Sequence, residues 1–176
     1  MNSRVVRLRP MRWLLAVCVG LFLVACAGVG GPKLVVHAFN FEGWNDGWAK
    51  TVDLLEFSYG DQYAPVRAKS TDGKSLGNSW GVNGAMPVGD FLRVKWRIKS
   101  SGEVLERHVD LRQRLPADMT NHELTFVIDE RELFVYVATP RPQPGSVKQR
   151  THRTWLSKYN VVYEVFPTRE TAPKVN

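Results

Sequence analysis

Apolar and polar side chains alternate along several stretches of this chain, most regularly over residues 92–99. Every second residue there is apolar and the residues between are all basic, which is the period of a strand with one face in a core and the other in solvent. A second alternating stretch covers residues 104–111. We therefore predict a β-hairpin whose four-residue loop is 100–103.

A loop at 100–103 makes Lys99 and Val104 the closing pair and sets the register of the hairpin. The predicted facing pairs are Leu92 with Leu111, Val94 with Val109, Ile98 with Leu105, Arg93 with Asp110, Lys95 with His108 and Arg97 with Glu106. Opposite charges meet in two of these pairs. We interpret the basic residues as a solvated, self-paired sheet face rather than as a site for an anionic ligand.

Further apolar stretches predict strands at 34–41, 52–59, 124–128, 133–139 and 161–166. The pair at 124–128 and 133–139 is apolar nearly throughout, as central strands are, and encloses a polar hairpin tip. Together these segments predict an all-β domain, a two-layer antiparallel β-sandwich of seven or eight strands.

The segments between the predicted strands are rich in glycine, proline and polar residues. Residues 61–89 predict a long loop region with weak strand signals at 66–68 and 79–83. Prolines at 140, 142 and 144 are expected to end the sheet, and residues 155–159 fit a single helical turn.

The N-terminal region has four arginines followed by an apolar run over residues 13–25, which is too short to cross a bilayer comfortably. This pattern predicts an export signal. Residues 23–26, Leu-Val-Ala-Cys, resemble a bacterial lipobox, in which the cysteine receives diacylglycerol before cleavage. We predict that Cys26 is lipidated and becomes the first residue of the mature protein. The alternative is an ordinary secretory leader, cut near Ala25 or Ala27, that leaves Cys26 free.

Removing the leader changes the apparent basicity of the chain, because it takes away four arginines and no acid. The formal net charge falls from +7 to +3, which weakens a nucleic-acid interpretation. Cys18 leaves with the leader, so no intramolecular disulfide is expected. An alanine after Cys26 favours the outer membrane, with the domain facing the periplasm. The predicted organisation is a signal peptide at 1–25, a lipidated tether at 26–33, a β domain at 34–167 and a polar tail at 168–176.

Motifs that could carry catalysis lack the context that they need. Residues 77–81, Gly-Asn-Ser-Trp-Gly, match the G-x-S-x-G elbow of hydrolases, but no helix can begin after them. The four histidines, which have no metal-ligand spacing, are His37, His108, His122 and His152. We predict a protein that is not an enzyme and that holds no metal or cofactor.

Two loop regions carry side chains of the types favoured at protein interfaces. Trp44 and Trp48 lie in the turn-rich segment 43–48, and Trp80 and Met86 lie between residues 77 and 89. We predict them as partner-binding residues. The alternative is that the same side chains close the core.

Four short segments, 82–84, 87–89, 92–96 and 109–116, together with the lipobox, resemble a group of small proteobacterial lipoproteins. Members of that group are often encoded beside toxic effectors of the type VI secretion system, notably lipases, and are regarded as immunity proteins. The resemblance implies a membrane-anchored protein that binds and neutralises an effector. The competing interpretation is a structural or envelope-assembly lipoprotein with a stable protein partner.

Overall fold

The computed structural model describes residues 31–142 and 159–168, which form nine strands and two short 3₁₀ turns. The strands are β1 (Leu34–Glu42), β2 (Val52–Tyr59), β3 (Arg67–Lys69), β4 (Ser79–Pro87), β5 (Phe91–Ile98), β6 (Val104–Asp110), β7 (Glu123–Asp129), β8 (Glu132–Pro142) and β9 (Asn160–Phe166). All nine strands belong to one unit of the chain, Lys33–Asn176. Within the described ranges, no helix is long and apolar enough to span a membrane.

The nine strands form two sheets, one of five strands in the order β4-β1-β7-β8-β9 and one of four in the order β3-β2-β5-β6. The predicted all-β sandwich is confirmed, with nine strands in the described residues where seven or eight were expected. One pair departs from the antiparallel rule, since β1 and β7 run parallel. The expectation that the two most apolar strands are central is also confirmed, because β7 and β8 both lie inside the larger sheet.

The core between the sheets is built largely from aromatic rings. Phe41 of β1 lies 5.1 Å from Phe57 of β2 and 4.9 Å from Phe126 of β7, measured between ring centroids. Trp96 of β5 is completely buried, and its indole N–H donates to the Glu130 carbonyl oxygen at 2.7 Å. Burying each such side chain contributes about 1.5–3 kcal/mol to folding.

The predicted register of the β5–β6 hairpin is wrong by two residues. Arg93 faces His108 and Lys95 faces Glu106, where Asp110 and His108 were expected. The predicted faces are nevertheless right, because a shift of two residues preserves the side of each side chain. Trp96 is buried and Lys95 is partly exposed.

The register error arises in the loop. The Ile98 amide donates to the Glu103 carbonyl oxygen at 2.9 Å, so the loop is 99–102 rather than 100–103. Gly102 has a left-handed φ of 74° and closes the loop, and its own amide donates to the Ile98 carbonyl oxygen. Glycine adopts this conformation without steric cost, so pairing resumes directly after it.

The structure also corrects the expectation of a long loop before residue 89. β4 is nine residues long and pairs with β1 from Ser79 to Pro87. Its inward positions are Trp80, Val82, Gly84 and Met86. These positions alternate as a strand requires, and the glycines at 81 and 84 hide the pattern in the sequence.

The prolines after residue 139 do not end β8, which continues through Pro140 and Pro142. Pairing with β7 stops at Ala138, so within the described residues β8 has no strand partner on that side beyond this point. A missing N–H is tolerated on a free side. Pro144, the predicted lipidation site Cys26 and nearly all of the predicted helical turn lie outside the described residues.

Candidate interaction site

Trp44 is the most exposed tryptophan of the described residues, with 62% of its surface accessible. It lies in the loop that follows β1. The amide of Gly43 donates to the Asn78 carbonyl oxygen at 2.6 Å, which ties this loop to the residue before β4. A Cβ atom on Gly43 would lie 2.8 Å from both that oxygen and the Trp48 ring, so only glycine fits. Trp44 is therefore presented at the start of β4.

The other three predicted contact residues lie deeper. Trp48 is 3% exposed and packs beside Phe41 and Phe126, and Met86 is 1% exposed. Trp80 is half-buried, because it occupies an inward position of β4. Trp48 and Met86 close the core and are not available at the surface, which corrects their assignment as contact residues. Trp44 stays a predicted contact, and Trp80 offers only part of its ring.

β4 forms one edge of the larger sheet. Two hydrogen bonds identify which of its backbone N–H and C=O groups point away from β1, towards the open side of the sheet. The Gly43 amide donates to the carbonyl oxygen of Asn78, so the odd-numbered residue 43 points its backbone groups towards β4. The Ala38 amide donates to the His122 carbonyl oxygen, so the even-numbered Ala38 points towards β7. In an antiparallel ladder these directions alternate, so the even-numbered residues of β4 bond to β1. The N–H and C=O groups of Ser79, Gly81, Asn83 and Ala85 therefore point away from the sheet.

The outer edge of β4 is open to solvent. Its four outward residues are all exposed, and its sequence, Ser-Trp-Gly-Val-Asn-Gly-Ala-Met-Pro, contains no charged side chain. In the part of the chain that the structure describes, no residue hydrogen-bonds to this edge. We call these four outward residues the β4 edge. Sequence reasoning missed it, although the alternation of Trp80, Val82 and Met86 was a usable signal.

The outer face of the smaller sheet is charged and internally paired. The Arg93 guanidinium lies 2.6 Å from the Glu106 carboxylate and 3.0 Å from that of Glu56. The hydrogen bond from the Arg93 guanidinium lowers the pKa of the Glu106 carboxyl group. Arg97 pairs with Asp53 at 3.0 Å. Both arginines have acidic partners, as the self-paired interpretation requires. The partners differ from the predicted ones because the hairpin register differs and because Asp53 and Glu56 lie on β2, the other neighbour of β5.

An open concavity of about 620 Å³ lies on the same face. Arg67 and Lys69 form one side, and the rings of Phe91 and His108 stack 4.9 Å apart on the other. Arg93 contributes to the lining but is already occupied by two carboxylates. The concavity could accept a small acidic group, although its openness gives little enclosure.

His37 and Tyr59 form a buried polar pair that joins the two sheets. His37 Nδ1 lies 2.8 Å from the Val35 carbonyl oxygen, which can only accept, so Nδ1 carries the proton. Nε2 then accepts from the Tyr59 hydroxyl at 3.0 Å. Burial lowers the pKa of His37 and raises the pKa of Tyr59. The pair is a neutral structural link between β1 and β2.

The motifs with possible chemistry do not assemble in the described residues. Ser79 begins β4 and is followed by strand, whereas a hydrolase elbow needs a helix after the serine. Within residues 31–142 and 159–168, no group of three or more metal-ligating side chains occurs. His152 lies outside these ranges.

Comparisons with protein-family models, with curated proteins and with solved structures found no match. The fold and the surface define the class of this protein: it is an all-β sandwich domain with an exposed tryptophan beside an open sheet edge.

Proposed function

We propose that this protein is a lipid-anchored binding protein that neutralises a toxic effector of the type VI secretion system, with a phospholipase as the first candidate effector. In this proposal the domain faces the periplasm from the outer membrane and acts by binding, without catalysis. The lipobox ending at Cys26 supports the anchor, and the resemblance to immunity lipoproteins supports the role.

The observation that carries the proposal is the exposure of Trp44 on an ordered loop. Backbone bonds hold the loop, from Asp46 to Glu42 at 2.8 Å and from Ala49 to Gly43 at 3.0 Å. A large ring held in this way loses little conformational freedom when a partner covers it. Tryptophan is also among the residue types that most often dominate interface energies.

The predicted anchor adds a reason for a membrane-active effector. Six glycine-rich residues between Cys26 and Lys33 would reach about 15 Å as flexible chain. A domain on so short a tether would stay beside the membrane. That is where a phospholipase would find its substrate, so binding there would intercept it.

The competing function, a structural or envelope-assembly lipoprotein, needs the same anchor and a contact surface. The two differ in the partner, which would be a toxin from a sibling cell in one case and a stable component of the same cell in the other. Removing the gene therefore separates them.

The test is deletion of this gene in a strain that keeps a neighbouring effector gene, followed by competition against the parent. We expect the deletion strain to be killed on contact and to be rescued by the wild-type gene. Equal survival of the two strains, with no binding between the purified effector and this protein, would remove the immunity role and leave the structural one.

The contact surface is tested by Trp44→Ala in the same assays. We expect effector binding to weaken by ~2 kcal/mol, or about 30-fold, because an anchor ring is lost. Tyr159→Ala is the matched control, since Tyr159 is also aromatic and is 71% exposed. Equal binding by the Trp44 variant and the wild type would show that the effector docks elsewhere.

Lipidation is tested separately by Cys26→Ser. We expect the variant to lose labelling by radioactive palmitate and to leave the membrane fraction or stay unprocessed. Continued labelling would contradict the assignment of Cys26.

A further inference from the structure

The β4 edge presents four backbone N–H groups and four carbonyl groups along one open line. A row of unpaired strand groups is a template for pairing with another extended chain. Proteins normally protect such edges with charge, short length, bulges or proline. β4 has nine residues, no charge and a single proline at its last position.

The other three sheet edges of the described residues show the protections that β4 lacks. β3 has only three residues, two of which are Arg67 and Lys69. β6 carries Glu106, Arg107 and His108, and Arg107 is exposed although it lies opposite buried Val94 on the core-facing side. The pairing of β9 with β8 is interrupted twice by register shifts. The contrast indicates that the β4 edge is available for pairing with another extended chain.

The side chains of β4 indicate what would fit beside it. The outward positions hold only Ser79, Gly81, Asn83 and Ala85, which leave room for large neighbours. Next to them, on the same face of β1, Val36 is 48% exposed and pairs with Ala85. A large apolar side chain opposite Ala85 could reach over it and cover Val36.

A second copy of this chain is a poor occupant of the same edge. Antiparallel self-pairing of β4 would set small residues against small residues and bury little side-chain surface. A stable interface needs about 800 Å² from each partner. An unrelated strand with bulky side chains fills the space better.

We propose that β4 accepts an extended segment of a partner protein, which becomes the sixth strand of the larger sheet. The segment is about eight residues long, uncharged at its centre and has large apolar side chains at alternate positions. The main chain supplies the hydrogen bonds and the alternate side chains supply the selectivity, as in strand addition generally. This mode of binding does not depend on the partner being a toxin.

The probe is a phage-displayed library of random twelve-residue peptides, selected on the purified full-length chain in detergent micelles. We expect enrichment of peptides with large apolar residues at alternate positions. Failure to enrich peptides of this pattern would overturn the proposal.

An enriched synthetic peptide is then followed by residue-resolved amide hydrogen exchange. In the free protein the amides of Trp80, Val82 and Met86 should exchange slowly, because they bond to β1, and those of Asn83 and Ala85 should exchange fast. Peptide should slow Asn83 and Ala85 at least 10-fold. Slowing confined to other strands would overturn the proposal.

The matched variants are Asn83→Lys on β4 and Val104→Lys on β6, both exposed edge-strand positions. We expect the Asn83 variant to weaken peptide binding at least 10-fold and the Val104 variant to change it less than twofold, with unchanged thermal midpoints. Equal weakening by both variants would overturn the proposal. So would a concentration-dependent dimer that Asn83→Lys abolishes, because a second copy would then be the occupant.

Discussion

The edge strands β4 and β6 show that the two sheets of this sandwich expose different kinds of side chain to solvent. β6 places Glu106, Arg107, His108 and Asp110 along seven residues, and its neighbour β5 adds the Arg93 ion pairs. β4 is longer and carries no charge. Both strands also send apolar side chains into the same core, so the difference lies in their exposed side chains.

This contrast separates stability from recognition. The shared core should account for most of the free energy of unfolding, because apolar burial is the dominant favourable contribution to folding. The charges on the smaller sheet should contribute little, because they remain in contact with water. The open edge and Trp44 should contribute least to stability, since neither is packed.

The largest effect is expected where the smaller sheet enters the core. Trp96→Ala removes a completely buried indole and its hydrogen bond to Glu130 of the β7–β8 turn. We expect a loss of about 3–5 kcal/mol in the free energy of unfolding, measured by denaturant titration. Trp44→Ala is the matched control and should change it by less than about 0.5 kcal/mol. A similar loss for both variants would break the distinction between core and surface indoles.

A smaller loss is expected from Tyr59→Phe, which removes the hydroxyl that donates to His37 and keeps the ring. Nε2 of the buried histidine is then left without its donor. The expected cost is about 1–3 kcal/mol by thermal or chemical unfolding. Tyr159→Phe, at an exposed site, is the control. No difference between the two variants would show that the link between the sheets adds nothing.

The same histidine should make stability depend on pH. Burial lowers the pKa of His37 below 6.5 in the folded protein, so the unfolded chain takes up a proton first as the pH falls. Stability is therefore full above pH 6.5 and declines as the pH falls towards the lowered folded-state pKa. His37→Asn should have a flatter stability profile between pH 7 and pH 5. An unchanged slope would show that His37 does not titrate between the two states.

The smallest measurable effect is expected on the charged face. Arg93→Ala removes ion pairs to Glu56 and Glu106, but the arginine side chain is 39% exposed. Solvent screening limits the expected loss to about 1 kcal/mol at low salt, and it should shrink further in 1 M NaCl. A loss that persists in high salt would indicate packing by the arginine stem rather than charge.

The prediction of β5 and β6 shows that a local pattern can assign the faces of a strand but not the register of its pairing. Alternation assigned Trp96 to the core and Lys95 to the surface because side-chain direction has a period of two. The same pattern is unchanged by a slip of two residues, so it could not choose between Asp110 and His108 opposite Arg93. The choice depended on the left-handed conformation of Gly102, which no hydrophobic pattern records.

The candidate site was predictable only in part. Trp44 was proposed from residue type and is exposed, whereas Met86 was proposed in the same way and is buried. Residue type does not distinguish the two because both large apolar types occur in cores and at interfaces. The burial of Met86 followed from its inward position on β4, and only the pairing with β1 revealed the full length of that strand.

The sequence by itself determined the all-β class and the faces of the regular strands. It could do so because these properties depend on neighbouring residues and on a period that repeats locally. Only the tertiary structure decided the register of the β5–β6 hairpin, the parallel pair of β1 with β7 and the open edge of β4. These depend on which distant segments pair, and pairing is chosen by the fit of the whole core rather than by any one stretch of chain.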